Sequence, residues 1–573
     1  MRARAGATLA GMRFPGGGEG ILVALAAFHV LALGLWPLGR LFLEAFGPGT
    51  DGATFGLIRE ALDSRAVSRA FWNTLAASAG SVVVSVVLGT GLALATGLLA
   101  LRGRVPMTFL ILSPLLIPSQ ILALAWIELM GSTSPVLRPL GLAPAPGQGN
   151  PLYSGAGVMW LLGIEHMPLV FLSVRAALLA VPQALVEAAR IAGARRARIL
   201  RRIVLPLAMP GVLAGAALAF ASAVGNFGVP ALLGIPGRFT MLTTLIYQRL
   251  NGFGPSVLGQ VAVLALMLVA LGGAALLLRA ILAARAVPVE RAGPAMAPIP
   301  PGRARLPVEA ALWLLLLTLA ILPLAALMAT ALIPALGVKL SLATVTLENF
   351  HEALASPAIR RAFANSFLLS LGAAGLSAVI ALGLGYAAVI RGNRTARLLD
   401  QLADAPYVVP GTVLGIAYIL VFLPPLPGIG LSIYGTATIL FLAYLARFLP
   451  LVLRPVAATL AGLEPALDEA ARIVGARPLR RLVFVMAPIA APSAMAGAML
   501  VFMTAFNELT VSALLWSSGV ETVGVSVFSL QYEGNSTTAA ALSVLSIAVV
   551  LGLALMLDRL SDRLPPGTLP WRQ

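Results

Sequence analysis

The sequence predicts an all-α polytopic membrane protein of about 12 transmembrane helices, arranged as two parallel repeats of six. Three observations carry that prediction. The chain is 59% hydrophobic and only 11% charged, where soluble domains carry about 25% charged residues. It holds uncharged runs, plainest at 71–101 and 362–390, that exceed the roughly 20 residues a helix needs to cross a bilayer. Finally, a long stretch of the first half returns in the second. Residues 187–233 align without a gap on 469–515 at an offset of 282, with 23 identities in 47 positions.

Taken in order, residues 1–20 are basic and glycine-rich and read as a cytoplasmic tail. The first span comes next, over 21–46. Its apolar run is longer than a signal-peptide core of roughly 7–15 residues, so a retained helix is expected. A polar outer segment over 48–69 leads to spans at 71–101 and 107–130. The Pro/Gly-rich loop at 131–154 precedes the fourth span, 155–180. A polar segment at 183–206, a fifth span at 207–225, an irregular stretch at 226–255 and a sixth span at 256–279 complete the first half.

Residues 285–308 are rich in proline and arginine and read as an extended cytoplasmic linker. The first half thus runs 1–284 (core 71–280) and the second 309–573 (core 362–560). Spans in the second half are expected at 309–335, 362–390, 405–424, 432–457, 489–507 and 537–557. The motif ending in Asn73 is echoed by the one ending in Asn365 at an offset of 292, so the first half carries ten extra residues, assigned to the 131–154 loop.

Twelve spans with both termini cytoplasmic put 28 of the 39 basic residues on inner segments, as the positive-inside bias requires. The net charge of +17 therefore orients the chain in the lipid bilayer, and no nucleic-acid partner is expected. There are no cysteines and the three histidines are scattered, so no metal site is read. The only lysine, Lys339, lies in Val-Lys-Leu. A Walker A loop needs Gly-Lys-Ser/Thr, so the chain cannot hold ATP in that way.

The repeated polar segment reads Glu187-Ala188-Ala189-Arg-Ile-Ala-Gly193 and runs to Pro206. Its copy reads Glu469-Ala470-Ala471-Arg-Ile-Val-Gly475 and runs to Pro488. A short alanine-rich helix that bends at glycine forms a compact knob suited to a partner's groove. With six spans per half, both knobs face the same side of the membrane.

Glu-Ala-Ala-x-x-x-Gly with a hydrophobic-Pro ending resembles the signature loop of permeases from binding-protein-dependent ABC importers. The resemblance covers roughly 71–280 and 362–560 and leaves spans one and seven as additions. It implies the type I ABC importer permease fold in the cell inner membrane. It also implies a periplasmic solute-binding protein and a cytoplasmic ABC ATPase in two copies, and no enzyme activity in this chain. No cofactor is bound, and ATP is used by the partner subunits. Glu187, Ala188, Ala189, Gly193, Pro206 and their mates Glu469, Ala470, Ala471, Gly475 and Pro488 would form the ATPase-coupling segments. Fusion of two halves, with Asn226-Phe-Gly-Val-Pro after the fifth span, is most similar to ferric iron permeases. Thiamine, phosphonate and polyamine permeases are the alternatives. A 6+6 ion-coupled secondary transporter is a rival of another class, although it does not call for the duplicated motif.

Charged groups inside spans cost about 2.5–3.5 kcal/mol on insertion scales and need partners or water. Glu165 in span four and Arg447 in span ten are equivalent at the offset of 282. They either pair near the interface of the halves or are satisfied separately. Asn226 and Glu508, also equivalent, stand at the outer ends of spans five and eleven. They could line a translocation path, where a carboxylate suits a hard cation, or they cap their helix ends. Asn73 and Asn365 are expected to be structural.

Overall fold

A computed structural model describes residues 18–49, 52–252, 257–285, 297–426, 428 and 430–559. The expected N-terminal tail, much of the linker and the C-terminal segment lie outside the described residues. Among the described residues, ten helices are long and apolar enough to cross a membrane, and twelve spans result if each of two bent pairs counts as one. In order they are Gly20–Ala45, Arg65–Leu98, the pair Arg104–Leu116 and Ser119–Met130, Gly155–Leu179, Arg196–Gly225 and Val257–Ile281. The second six are Gly302–Ala331, Pro357–Ile390, the pair Arg394–Val408 and Gly411–Phe422, Ala437–Ala461, Pro478–Phe506 and Ser536–Met556.

The third and ninth spans depart from the straight helices expected. They bend by 107° and 105°. Each break falls at a proline, Pro118 or Pro410, which caps the next helix from an extended conformation. A proline cannot donate to the ladder and disfavours helix at the residue before it. Both breaks therefore arise from Ile117-Pro118 and Val409-Pro410, which match at the offset of 292.

Most other prolines in the spans are absorbed without a break, although the helix before Pro236 stops in a turn. Five of the six π-helical segments among the described residues end two residues before a proline: Pro37, Pro206, Pro236, Pro323 and Pro488. A widened turn relieves the clash between the proline ring and the preceding carbonyl. The fifth and eleventh helices consequently begin at Arg196 and Pro478, earlier than the expected 207 and 489. The arginine cluster is the foot of a helix and not a free loop.

In each half the spans numbered two, four and five (or eight, ten and eleven) pack together. Small residues let them approach. A Cβ at Gly215 would lie 2.7 Å from Val170 Cα, and one at the equivalent Gly497 would lie 2.7 Å from Val452 Cα. Ser85 donates to the Gly163 carbonyl at 2.8 Å between spans two and four. Close contact of small residues replaces the hydrophobic effect as the source of helix association in lipid.

The first span packs on the second half, against spans eight and nine and also span six. Tyr418 donates its hydroxyl to the Leu33 carbonyl at 2.8 Å in this contact. The seventh span mirrors it on spans three and twelve, where Thr330 donates to Glu128 at 3.0 Å.

Among the described residues, the irregular stretch after span five is buried over 226–234 and 241–246 and is partly helical, with Leu242–Leu250 as its main element and Val523–Tyr532 as its counterpart. Asn73 donates to the Thr240 carbonyl at 2.9 Å and Asn365 to the Glu521 carbonyl at 2.9 Å, fastening this stretch to the start of the long spans. Among the described linker residues, Ile299 pairs in β-bridge fashion with Leu99, in the loop after span two.

Candidate functional site

The two polar segments fold alike. Gln183–Ile191 and Ala466–Ile473 are short helices. Gly193 comes after the first at φ +75° and Gly475 after the second at φ +79°. Gly193 N–H bonds to the Arg190 carbonyl at 3.0 Å and Ala194 N–H to that of Ala189 at 2.9 Å. In the copy, Gly475 bonds to Arg472 at 3.0 Å and Ala476 to Ala471 at 3.1 Å. This is the Schellman C-cap, which places its glycine in the left-handed region.

Glu187, Ala188, Glu469 and Ala470 are exposed, and Ala189 and Ala471 are half-buried. The tips are apolar. Ile191 is 89% exposed and its mate Ile473 is 84% exposed. Pro206 and Pro488 lie in the first turn of Leu205–Gly225 and Ala487–Phe506, just above the widened turns.

Each elbow is latched to the foot of the next helix by a different chemistry. In the first, Val186 and Ile199 are buried in one apolar cluster with Leu94 packed against it. At the equivalent positions stand Asp468 and Arg481, joined at 2.5 Å, with Tyr386 donating to Asp468 at 3.3 Å. Arg481 is 2% exposed.

The membrane-embedded polar residues gather at the breaks. Among the described residues no ion pair joins Glu165 to Arg447. Glu165 accepts from the Ser119 hydroxyl and from Asn226 Nδ2, the latter at 2.9 Å. Arg447 lies in electrostatic reach of Glu508, Tyr407 and Tyr444. Equivalent residues thus meet inside each half: Glu165 with Asn226 in one, Arg447 near Glu508 in the other.

Asn226 Oδ1 accepts from Val229 N–H at 3.1 Å. The Glu508 carboxylate accepts from Val511 N–H at 2.8 Å, Ser512 N–H at 3.0 Å and the Ser512 hydroxyl at 2.8 Å. Both groups cap the turn just beyond their span.

The breaks also touch the opposite half. Gln120 donates to the Asn507 carbonyl at 3.0 Å. A Cβ at Gly225 would lie 3.1 Å from Pro410 Cβ. Beside the second break is a cavity of about 350 Å³, lined from both halves and including Asn226, Tyr407, Pro410, Arg447, Thr504 and Thr510. Among the described residues, no group of three His, Cys, Asp or Glu is placed to hold a metal ion.

Residue type alone does not single out Ser119, Gln120, Tyr407, Gly411 and Thr510. A signal for them is nonetheless present in the sequence: apolar segments interrupted by proline at corresponding places in two repeats point to a binding region.

Residues 88–287 and 379–568 match the family described as binding-protein-dependent transport system inner membrane component. Over 527 residues, 90% of this chain and 91% of the relative, the sequence is 28% identical to a Sinorhizobium fredii protein named as a probable ABC transporter permease. Over 538 residues, 91% of this chain and 75% of the relative, it is 23% identical to a ferric transport system permease protein of Actinobacillus pleuropneumoniae. A stretch of 113 residues, 20% of this chain and 40% of the relative, is 36% identical to a Salmonella typhimurium protein named for 2-aminoethylphosphonate transport.

Proposed function

The chain belongs to the family of binding-protein-dependent transport system inner membrane components, and from that premise we propose how it couples ATP to transport. It is a multi-pass inner-membrane permease subunit of an ABC importer and carries no ATPase domain. Partner subunits hydrolyse ATP, and a solute-binding protein supplies the substrate.

In our reading the termini are cytoplasmic and two ATPase copies grip the elbows at Glu187–Gly193 and Glu469–Gly475. The observation that carries this is the pair of glycine-capped elbows, each offering a bare isoleucine at its tip, joined in the second by an equally bare Val474. A partner groove that takes Ile191 and Ile473 recovers the burial energy that each forgoes in water, about 1.5–3 kcal/mol per side chain. The latches then pass ATPase closure to spans five and eleven, whose upper ends meet the breaks and switch access between the two sides.

Ferric iron is our substrate reading, supported by likeness to a permease named for ferric transport. A phosphonate is the second reading, supported by the likeness to a relative named for 2-aminoethylphosphonate.

The test is purification of the tagged full chain from its host. An ABC-type ATPase is expected to come with it at two copies per chain, and to be lost when Ile191 and Ile473 are both changed to Asp. Uptake into proteoliposomes is expected to require ATP. Uptake without any ATPase subunit would overturn the reading.

A further inference from the structure

We infer that the cavity beside the second break binds an oxyanion of the transported solute, held by Arg447 and the open end of the Gly411–Phe422 helix. The inference rests on the importer reading and names the substrate chemistry of its path.

The two halves differ in charge at equivalent positions. In the first half, Pro118 ends the break and Ser119 opens a helix of 12 residues. The Glu165 carboxylate sits at that opening and accepts the Ser119 hydroxyl. The half thus carries its own anion at a helix N-terminus, where aligned backbone dipoles favour negative charge. In the second half, Pro410 ends the break and Gly411 opens another helix of 12 residues, with no side chain capping it. The position equivalent to Glu165 holds Arg447. The side chain at the opening thus has the opposite sign, with Glu508 in electrostatic reach behind it, and the space beside it is the cavity of about 350 Å³.

Three further observations point the same way. Arg447 Nη1 is buried and has no acceptor. A guanidinium nitrogen without an acceptor in a low-dielectric site is costly, and the planar guanidinium fork can pair two N–H groups with two oxygens of a carboxylate, phosphonate or phosphate. Glu508 does not fill this role, because its oxygens already take three donors from its own turn and it does not line the cavity. The remaining polar lining is neutral, from Ser222, Asn226, Tyr407, Thr504 and Thr510. Gly411 lets the Arg447 guanidinium reach the opening: a Cβ there would strike the guanidinium and would lie 2.9 Å from Thr510 Cβ. The first half reverses that fit, since a Cβ at Gly228, the mate of Thr510, would lie 2.8 Å from Ser119 Cβ.

The volume suits a small solute. Iron would then cross as an oxyanion chelate rather than as a bare cation, and a phosphonate would cross as itself.

The test uses the complete complex of permease and ATPase in lipid nanodiscs, with binding read by thermal stabilisation and by titration calorimetry. Ferric citrate, 2-aminoethylphosphonate and inorganic phosphate are the anionic probes; spermidine and thiamine are the cationic ones. At least one anionic probe is expected to bind the unaltered complex. Its affinity is expected to fall at least tenfold in Arg447→Gln and less in Arg447→Lys. Thr504→Glu, which places a carboxylate in the cavity, is expected to abolish binding and serves as the second variant should Arg447→Gln fold poorly. Preference among the three anions separates the iron chelate from the phosphonate. The inference fails if no anionic probe binds, if a cationic probe binds more tightly, or if the foldable variants bind as the unaltered complex does. Failure to recover any ATPase with the unaltered chain would instead overturn the importer reading.

Discussion

Gly193 and Gly475 hold φ values of +75° and +79°, and nothing lies within 4 Å of a Cβ built on either. Backbone conformation, and not crowding, is what requires glycine there. A β-branched residue in this region costs about 1–2 kcal/mol, while asparagine tolerates it. Gly193→Val is therefore expected to lower ATP-dependent uptake strongly and Gly193→Asn only mildly, at equal protein levels in the membrane. Equal uptake by the two variants would show that the elbow's shape is not what the ATPase reads. The latch beneath the second elbow gives a sharper test. Asp468→Val alone strands Arg481, which is 2% exposed, and breaking such a pair costs about 3–5 kcal/mol. Asp468→Val with Arg481→Ile installs the apolar pair of the first half and is expected to recover most of the stability, measured by thermal melting in detergent. The elbows themselves were legible in the sequence because their residue types repeat. The latch was not, because Val186–Ile199 and Asp468–Arg481 perform the same task with unlike side chains and show no identity to align.

Helices in this chain meet proline in two ways, and the difference lies in the turn that surrounds the ring. Pro206 and Pro488 sit at a widened turn within continuous helices. At Pro118 and Pro410 the helix stops, and the chain turns by more than 100°. The span count was legible from hydropathy, which reads composition along the chain. Hydropathy is blind to direction, so two short helices joined at a proline looked like one crossing. Packing between helices sets another element-scale expectation. Gly215→Ala and Gly497→Ala would push a methyl group to 2.7 Å from the backbone of the neighbouring span. Each should destabilise by about 1–3 kcal/mol, the usual cost of overpacking. Gly91 and Gly272 have nothing within 4 Å of a Cβ. Alanine there should be neutral or stabilising by about 0.5–1 kcal/mol, since helix-interior glycine is unfavourable. Thermal melts of the four variants decide it, and a uniform response would remove the case for close approach.

At the scale of the whole molecule, Tyr247 and Phe528 show where the two halves turn about each other. Leu242 N–H bonds to Thr74 Oγ1 and Val523 N–H to the matching Ser366 Oγ, which aligns Tyr247 with Phe528 in the stretches after spans five and eleven, and their rings meet at 5.9 Å. A residue that touches its own repeat mate lies on the axis relating the halves. Phe227 joins them, 5.9 Å from Phe528. The contacts of the breaks lie across the same interface, where Gly225 faces Pro410 and Gln120 bonds Asn507. If access alternates by separation of these contacts, a covalent tie across them must stop transport. The chain offers a clean background for the experiment, since it has no cysteine. A Cβ at Gly225 would stand 3.1 Å from Pro410 Cβ, near the Cβ separation of about 3.5–4.5 Å that a disulfide spans. Gly225→Cys with Pro410→Cys is expected to cross-link under oxidation. Uptake should then stop and return on reduction, while the uptake of each single variant, whatever its level, should not change between the two conditions. Uptake that continues in the fully cross-linked protein would mean that these ends stay together throughout the cycle and that the path opens elsewhere.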